Sequence, residues 1–382
     1  MKHRSRIRAL ALASQTRLVL FAAVWLSLFI YAGRPLLIGA AVAGIAPVFA
    51  WSALAIFAAL PLLSFWNRES TITSWAGYAI LALFSTLLVL VFLGDVVRGA
   101  YALARWTFAA QTWPLLDPRG IALTILGASG ALSLVGLAQA RCPRIRNVRV
   151  AIDELPEELE GYRIVQWSDV HVGPTIRRRF VQTLVDRTNA LQPDAVAITG
   201  DFVDSDAATF GGEIAPIRDL RTRDGVFYVT GNHEYYWSPE QWLQILDSHG
   251  VEFLHNDHRV VRNGGIVFAG ITDPVGRGTH QQDPDRALAN APAKAVKILL
   301  SHRPQASDDA NRLGVDLQLS GHTHGGQFFP FNLVIKKFQP LVAGLHRVGK
   351  TWVYVNRGTG YWGPPSRLAV GGEITVLELV RS

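Results

Sequence analysis

The chain has 382 residues, of which 49% are apolar, and a formal net charge of +7. This length exceeds what one hydrophobic core usually organises, so we expect at least two structural units. Residues 1–150 contain 14 lysines and arginines but only three acidic residues, whereas residues 151–382 contain 23 lysines and arginines and 27 acidic residues. The basic excess therefore lies beside apolar segments, and this distribution argues against a nucleic-acid partner.

Four stretches near the N-terminus contain no charged side chain: 18–33, 35–67, 70–94 and 120–140. A helix needs about 20 apolar residues to cross a bilayer. We therefore predict that residues 1–145 form a transmembrane helix bundle of about four helices: 17–33, 36–62, 72–95 and 120–140. The 33-residue stretch also leaves three or five spans open. Because no ionisable residue lies deep within a predicted span, an anchor is favoured over a transporter.

The basic residues predict an orientation for these helices. Four spans place both ends of the bundle on one side, with ten lysines and arginines there against four on the other side. Cytoplasmic loops are enriched in lysine and arginine. We therefore expect a multi-pass protein of the cell membrane whose C-terminal domain faces the cytoplasm, whereas an odd number of spans would reverse this.

From residue 148 onward, short β-branched runs alternate with amphipathic segments, a pattern typical of an α/β domain. We predict strands at the following positions: 162–167, 194–199, 226–230, 266–271, 296–300, 316–319, 352–355 and 374–379. The second domain is expected to comprise residues 146–382.

Five of these strands lead directly into unusual polar groups. In chain order, these are Asp-Val-His at 169–171, Gly-Asp-Phe-Val-Asp at 200–204, Gly-Asn-His-Glu at 231–234, Ser-His at 301–302 and Gly-His-Thr-His-Gly-Gly-Gln at 321–327. Ligands of an open α/β sheet gather at the carboxyl ends of its strands, so we expect the five groups to converge in one crevice. Their donors are oxygen and imidazole nitrogen, which suit divalent Mn, Fe or Zn and exclude a zinc site made of cysteines.

This ordered set resembles the calcineurin-like metallophosphoesterase superfamily, from about Tyr162 to the C-terminus. The resemblance implies a four-layer α/β domain with two mixed sheets. The Gly-His-Thr-His-Gly-Gly-Gln segment and the later segment Arg-Gly-Thr-Gly-Tyr-Trp-Gly-Pro-Pro at 357–365 look like a bacterial phosphodiesterase branch whose members are often attached to membranes.

The same resemblance implies two divalent metal ions held by seven side chains: Asp169, His171 and His324 for one ion, Asn232, His302 and His322 for the other, and Asp201 for both. A hydroxide shared by the two ions would attack the phosphorus in line with the leaving oxygen. His233 has no ligand role in this scheme. It is the implied catalytic residue, which assists the leaving oxygen as an acid or by hydrogen bonding.

We therefore expect a membrane-anchored metal-dependent phosphoesterase. A phosphodiesterase is favoured, with a phospholipid or a lipid-linked phosphate as a candidate substrate. One alternative is a pyrophosphate hydrolase acting on a nucleotide-linked lipid, which would use the same metals. A membrane receptor or scaffold without turnover is a second alternative, but a complete set of ligands argues against it. These residues leave the native metals and the oligomeric state open.

Overall fold

The computed structural model describes residues 2–108 and 113–382, with side chains described from residue 19 onward. The basic side chains before residue 19 that entered the orientation prediction therefore lie outside the described part. The chain divides into two compact units, Met1–Leu134 and Val135–Ser382. The last seven residues of the fourth apolar helix thus belong to the second unit, which begins earlier than the predicted boundary at residue 146.

Four long helices are found among the described residues of the N-terminal part: α1 Lys2–Val42, α2 Pro47–Trp66, α3 Thr71–Thr107 and α4 Pro118–Arg141. Each contains a stretch that is long and apolar enough to cross a membrane. Their outward-facing leucine, valine and phenylalanine side chains are largely exposed in the isolated chain, as expected for helices that have lipid as their solvent.

The boundary between the first two helices differs from the prediction, which ended one helix at 33 and began the next at 36. Helix α1 instead continues through Arg34 and Pro35 to Val42. Arg34 is tolerated inside the helix because its Nη2 lies 2.6 Å from Asp95 Oδ2 of α3. Gly44, with a left-handed φ of 72°, follows the end of α1, and Pro47 occupies the first position of α2.

Asp95 does not end the third helix, which was predicted to stop at residue 95, because its carboxylate is neutralised in place. Besides Arg34, it accepts a hydrogen bond from Tyr31 Oη at 2.9 Å and lies 3.9 Å from Arg98 Nη1. Helix α3 therefore continues to Thr107. The predicted helix at 120–140 agrees with α4 within two residues.

The second unit contains two six-stranded sheets. The strands among the described residues are β1 Arg144–Ile152, β2 Arg163–Trp167, β3 Ala195–Thr199, β4 Gly225–Val229, β5 Glu252–Phe253, β6 Asp257–Val261, β7 Ile266–Gly270, β8 Val296–Leu300, β9 Leu317–Ser320, β10 Gly344–Val348, β11 Thr351–Val355 and β12 Glu373–Arg381. The first sheet has the order β1-β12-β2-β3-β4-β5, and the second has the order β10-β11-β9-β8-β7-β6. Both combine parallel and antiparallel pairs, which confirms the predicted two mixed sheets.

Shorter helices cover the outer faces of the sheets: α5 Arg178–Ala190, α6 Ala207–Phe210, α7 Pro239–Ser248, α8 Pro284–Ala287, α9 Ser307–Arg312 and α10 Phe331–Val334. Neighbouring residues of one strand enter different cores because strand side chains alternate between faces. Ile164 of β2 and Ile298 of β8 meet in the core between the sheets. Val165 joins the outer core with α5 and α7, whereas Leu299 joins the outer core with α8 and α9. The result is a four-layer α/β sandwich.

Candidate metal centre

The five polar groups all lie just beyond the carboxyl ends of β2, β3, β4, β8 and β9, which are interior strands of the two sheets. Direct hydrogen bonds connect the ends of the two sheets at this point. His302 Nδ1 donates to the carbonyl oxygen of Thr199 at 2.8 Å, and Gln166 Nε2 donates to that of Ser320 at 3.0 Å. The sheet packing therefore brings together motifs that are far apart in the sequence.

The first cluster of potential ligands contains Asp169, His171 and His324. His324 Nε2 lies 3.2 Å from Asp169 Oδ1 and 3.1 Å from His171 Nε2. Two imidazole nitrogens that face each other at this distance cannot both be unprotonated acceptors without repelling each other. A shared cation would turn this repulsion into attraction, and carboxylate with imidazole suits Mn, Fe or Zn.

The second cluster contains Asp201, His302 and His322. Asp201 Oδ2 lies 3.1 Å from His302 Nε2, and His302 Nε2 lies 3.1 Å from His322 Nδ1. Asp201 Oδ2 is also 4.0 Å from His171 Nε2 of the first cluster. Asp201 therefore lies between the two clusters.

Asn232 completes the set of seven predicted ligands. Its Oδ1 is buried and has no hydrogen-bond partner among the described residues, whereas its Nδ2 donates to Tyr236 Oη at 3.3 Å. A buried acceptor without a partner is costly, and a divalent cation would satisfy it. The residues present therefore fit a bound metal.

The backbone at these positions is unusual. Five of the eight candidate site residues have a φ in the left-handed region, with values of 50–70°: Asp169, His171, Asp201, His322 and His324. Aspartate and histidine adopt this conformation more readily than most residues, but it remains uncommon. A cluster of such residues is typical of functional sites, because the surrounding structure must hold them there.

Gly321 shows how tightly the backbone approaches these ligands. A Cβ atom at this position would lie 2.2 Å from Asp169 Oδ2, a distance that real Cβ atoms do not adopt. With glycine there, the amide of His322 can donate to both oxygens of Asp169 at 3.1 Å. The glycine before this histidine is therefore required by close approach rather than by flexibility.

Electrostatics at the two clusters follows from burial and mutual proximity. Burial opposes charging of His302, but neighbouring Asp201 outweighs it and raises the pKa of His302 to about 10. Burial lowers the pKa of His322 to about 4, and His302 adds to this effect. Burial would raise the pKa of Asp201, yet the surrounding histidines hold it well below its usual value. The carboxylate at the middle of the site therefore stays ionised, as a metal ligand must.

His233 lies beside the two clusters. Its Nε2 is 4.0 Å from Asp201 Oδ2, and its Nδ1 is hydrogen-bonded to Asp204 Oδ1 at 2.7 Å. Burial would lower the pKa of His233, but the hydrogen bond to Asp204 and the charge of Asp201 raise it. Trp237 Nε1 also donates to Asp204 Oδ1, at 3.3 Å, which fixes the carboxylate. This arrangement leaves Nε2 facing the crevice and favours a protonated ring.

Ligand atoms of His, Asp and Glu side chains within 4.8 Å of one another fall into three groups among the described residues: Asp169, His171 and His324; His171, Asp201 and His233; and Asp201, His302 and His322. The first group contains the three side chains that the sequence resemblance implies for one ion, and the third contains His302 and His322 of the other set together with Asp201. Seven of the eight sequence-predicted site residues therefore lie in these groups, and the eighth, Asn232, directly precedes His233.

Comparison with known proteins identifies the family. Residues 162–326 match the calcineurin-like phosphoesterases. A Bos taurus protein named "Transmembrane protein with metallophosphoesterase domain" is 35% identical over 352 residues, which cover 85% of this chain and 79% of the bovine one. The chain belongs to the calcineurin-like phosphoesterase family. Its second unit is a metal-dependent phosphoester hydrolase domain.

Two further relatives come from a fish and a bacterium. A Danio rerio protein with the same name as the bovine one is 39% identical over 272 residues, which cover 68% of this chain and 62% of the zebrafish protein. A Helicobacter pylori J99 protein named "Uncharacterized metallophosphoesterase" is 36% identical over 265 residues, covering 68% of this chain and 70% of its own. Because 85% of this chain matches the bovine relative, the similarity to that protein extends into the apolar helices.

Glu234 lies beside the metal centre; the sequence motif contained this residue, but we assigned no role to it. It is fully buried, and its two oxygens accept hydrogen bonds from four backbone amides. The amides belong to Asp201, Phe202 and Val203 after β3 and to Gly231 after β4. Burial, and then the charge of Asp201, raise the pKa of Glu234 to about 7. This side chain joins the loop of Asp201 to the loop of Asn232.

Arg367 is a second contributor that sequence reasoning missed. It is fully buried, and its guanidinium contacts His324 Nδ1 at 3.1 Å. It also donates to the carbonyl oxygens of Arg357, Gly360 and His324. Burial lowers the pKa of Arg367 to about 10, which leaves it charged at neutral pH. Arg367 thus holds the backbone of His324 against the segment at 357–360.

The segment at 357–365 lies directly behind the metal centre. The amide of Gly360 donates to the carbonyl oxygen of Asp169 at 3.1 Å, and a Cβ at Gly360 would lie 2.0 Å from the Val170 oxygen. Gln327 Nε2 donates to the carbonyl oxygen of Trp362 at 2.9 Å, and the Trp362 amide donates back to Gln327 Oε1. The two segments that the sequence analysis singled out are therefore packed against each other.

Proposed function

We propose that this chain is a membrane-anchored phosphodiesterase that hydrolyses a lipid or lipid-linked phosphate ester with two divalent metal ions. The observation that carries the proposal is the pair of ligand clusters joined at Asp201, with His233 beside them. A single tetrahedral ion needs four ligands, whereas seven candidate side chains converge here.

The candidate ligands would divide as the resemblance implies: Asp169, His171 and His324 on one ion, Asn232, His302 and His322 on the other, and Asp201 on both. The bound ions would neutralise phosphate charge and lower the pKa of a water molecule to about 7, which supplies the nucleophile. The protein itself holds the ligand side chains in position. The hydrogen bond from His302 Nδ1–H to the Thr199 carbonyl oxygen leaves Nε2 of His302 unprotonated and available to a metal.

His233 is the proposed proton donor to the leaving oxygen. Because Asp204 binds Nδ1, the Nε2–H of the imidazolium faces the crevice. As the bond from phosphorus to the ester oxygen breaks, this proton moves to that oxygen and leaves His233 neutral. A proton from the consumed water restores the imidazolium, so the net reaction is hydrolysis of one ester bond.

Two aromatic side chains next to His233 support a substrate with an organic group on the phosphate. The Tyr236 ring lies 5.0 Å and the Trp362 ring 5.7 Å from the His233 ring, and both are partly exposed. An apolar substituent of a diester would find contact area there. A monoester has one organic group where a diester has two, so a diester offers more apolar surface to these rings.

The proposed cytoplasmic orientation rests on the distribution of basic residues. Four spans return the chain to its starting side. The connections at 43–46 and 108–117 would then face outward and contain no lysine or arginine, whereas the connection at 67–70 contains Arg68; the four basic residues counted on the outward side lie within the helices, at Arg34, Arg98, Arg105 and Arg119. A reporter active only in the cytoplasm and one active only after export, each fused after Ser382, test this orientation. Activity of the exported reporter alone would reverse it.

The activity is tested with the purified full chain in detergent with added Mn²⁺. Bis(4-nitrophenyl) phosphate should be hydrolysed with at least about tenfold higher kcat/KM than 4-nitrophenyl phosphate, about 1.4 kcal/mol of transition-state binding. The variant His233→Ala should lose about 10² to 10⁴ in kcat while it retains bound metal. The matched control is His255→Ala, whose ring lies outside the crevice and bonds the Thr279 carbonyl oxygen.

Three results would contradict these assignments. Faster hydrolysis of the monoester would make the protein a phosphomonoesterase. Cleavage confined to a nucleotide-linked lipid diphosphate would make it a pyrophosphate hydrolase. An unchanged kcat in His233→Ala would show that His233 is not the proton donor. An equal loss of kcat for substrates whose leaving groups differ in pKa would show that His233 positions the substrate instead.

A further inference from the structure

A second cavity, which we call the basic cavity, lies where α4 leads into β1 within the second unit. Its volume is about 460 Å³, and Arg144, Arg146, Arg357, Gln139 and Glu373 are among its lining residues. The lining includes none of the seven candidate metal ligands and does not include His233. A volume of this size is typical of small-molecule sites.

The charges in the basic cavity are unbalanced. Three guanidinium groups face one carboxylate, which gives a net charge of +2. Glu373 Oε2 is 3.8 Å from Arg146 Nη1 and 3.9 Å from Arg357 Nε, and both distances exceed that of a hydrogen bond. Glu373 Oε1 is already occupied by Tyr354 Oη at 2.9 Å and by the Arg357 amide at 3.1 Å. This carboxylate therefore leaves guanidinium donors unsatisfied.

Two of the arginines have guanidinium donors without a hydrogen-bond partner. Arg357 Nε is buried without a hydrogen bond to any described residue, whereas Arg357 Nη1 donates to the Val370 carbonyl oxygen at 3.4 Å. The Arg144 guanidinium also makes no hydrogen bond or ion pair within the described part of the chain, although its backbone amide bonds Gly372. An oxyanion in the basic cavity would satisfy these donors, and the planar fork of arginine matches phosphate in particular.

The location of the basic cavity indicates where the phosphate comes from. Gln139 belongs to α4, and Arg144 follows the last residue of that helix, Arg141, by three positions. Three extended residues span at most about 10 Å. If α4 crosses the membrane, Arg144 therefore lies within about 10 Å of the end of that helix and close to the lipid headgroups, which form a layer about 5–8 Å thick on each side of the hydrocarbon, and Arg146 follows two residues later.

An adjoining cavity favours a lipid over a free phosphate. Its volume is about 450 Å³, and it shares Arg357, Ala369 and Val370 with the basic cavity. Leu333, Ile335 and Val342 contribute apolar surface to it, and Lys336 and His346 contribute polar groups. A ligand that spans both cavities would place an anionic group among the arginines and an apolar group beyond Arg357, which is the chemistry of an amphiphile.

We propose that the basic cavity binds the phosphate of an anionic phospholipid headgroup, at a site separate from the metal centre. The site would hold the second unit against the membrane surface through a specific lipid. This inference rests on the proposed membrane placement of α4, and it does not depend on the proposed reaction.

The test measures lipid binding by the full chain in uncharged detergent micelles. Phosphatidylglycerol is titrated into wild-type protein and into the double variant Arg144→Gln/Arg146→Gln, with native mass spectrometry or thermophoresis as the readout. We expect the dissociation constant to rise at least about tenfold, since one charge-assisted hydrogen bond corresponds to roughly that factor. The matched control is Arg149→Gln, on the same strand, whose side chain is 74% exposed and does not line the basic cavity.

Unchanged affinity of the double variant for phosphatidylglycerol would overturn the proposal. An equal loss of affinity in Arg149→Gln would also overturn it, because it would show that the overall positive charge, rather than the basic cavity, binds the lipid. Equally tight binding of soluble glycerol 3-phosphate would overturn the assignment to a lipid. Both variants should hydrolyse bis(4-nitrophenyl) phosphate at the wild-type rate, and a loss in the double variant would overturn the separation from the metal centre. A wild-type protein that binds the lipid but hydrolyses no diester would refute the proposed function alone.

Discussion

Replacing Glu234 with glutamine tests whether a buried carboxylate holds the candidate metal ligands in position. In the native protein, each Glu234 oxygen accepts two backbone hydrogen bonds, one from Phe202 and Val203 and the other from Asp201 and Gly231. Glutamine would direct its NH₂ group at one of these pairs. Two buried amide donors would then lack an acceptor, which costs about 1–3 kcal/mol for each. The folded structure around residue 234 should therefore be destabilised by about 2–6 kcal/mol.

The loss should appear first in metal binding, because the Glu234 carboxylate fixes the backbone of Asp201 and the turn before Asn232. Changes to groups that support ligands typically weaken metal affinity about 10- to 100-fold. Mn²⁺ titration followed by electron paramagnetic resonance, together with a thermal unfolding scan, measures both effects. The control is Glu213→Gln, which also accepts a backbone amide, from Arg178 at 2.7 Å, but lies outside the crevice. A Mn²⁺ affinity within twofold of wild type in Glu234→Gln would refute this reasoning.

The remaining predictions concern the same centre. Elemental analysis of Mn²⁺-saturated protein should find about two equivalents of metal, and finding one would contradict the dinuclear proposal. Asp201→Asn should weaken both sites, whereas His324→Ala should weaken one more than the other, as competition titrations would resolve. Asp204→Asn should lower the pKa of His233, so the fall of kcat at alkaline pH should begin at lower pH; an unmoved limb would contradict the proton-donor role. Arg367→Met should raise the apparent metal dissociation constant about 10- to 100-fold by releasing the backbone of His324 and of the segment at 357–360 that Arg367 binds, and unchanged affinity would count against these contacts.

Every strand that the sequence pattern missed is an edge strand. The eight predicted strands are all present within one or two residues, whereas β1, β5, β6 and β10 were not predicted. These four occupy the outermost positions of the two sheets. An edge strand has one open side and a partly exposed surface, so it lacks the continuous apolar run that marks a central strand. The first four residues of β1, for example, are all exposed.

The candidate metal ligands were easier to predict from the sequence than the residues that hold them in position. The predicted ligands lie in compact motifs after central strands, where strand geometry itself implies convergence. Arg367 contacts His324 from 43 positions along the chain and lies in a segment with no periodic pattern. Asp204 stood within a predicted motif, but its role depends on the 2.7 Å contact with His233, which sequence spacing cannot give. The fold brings such residues to the ligands from distant positions in the chain, so no local sequence pattern identifies them.

The conformational cost of the crevice explains why such support is required. The five candidate ligands with left-handed φ each carry roughly 1 kcal/mol or more of backbone strain. Their buried carboxylates and imidazoles add desolvation that only ionic or hydrogen-bonded partners can offset. The two sheets supply rigid strand ends, and the backbone contacts of Glu234 and Arg367 hold the loops between them. Because ligands held in this way favour the metal-bound state over the unfolded chain, metal binding and folding of the second unit should be coupled.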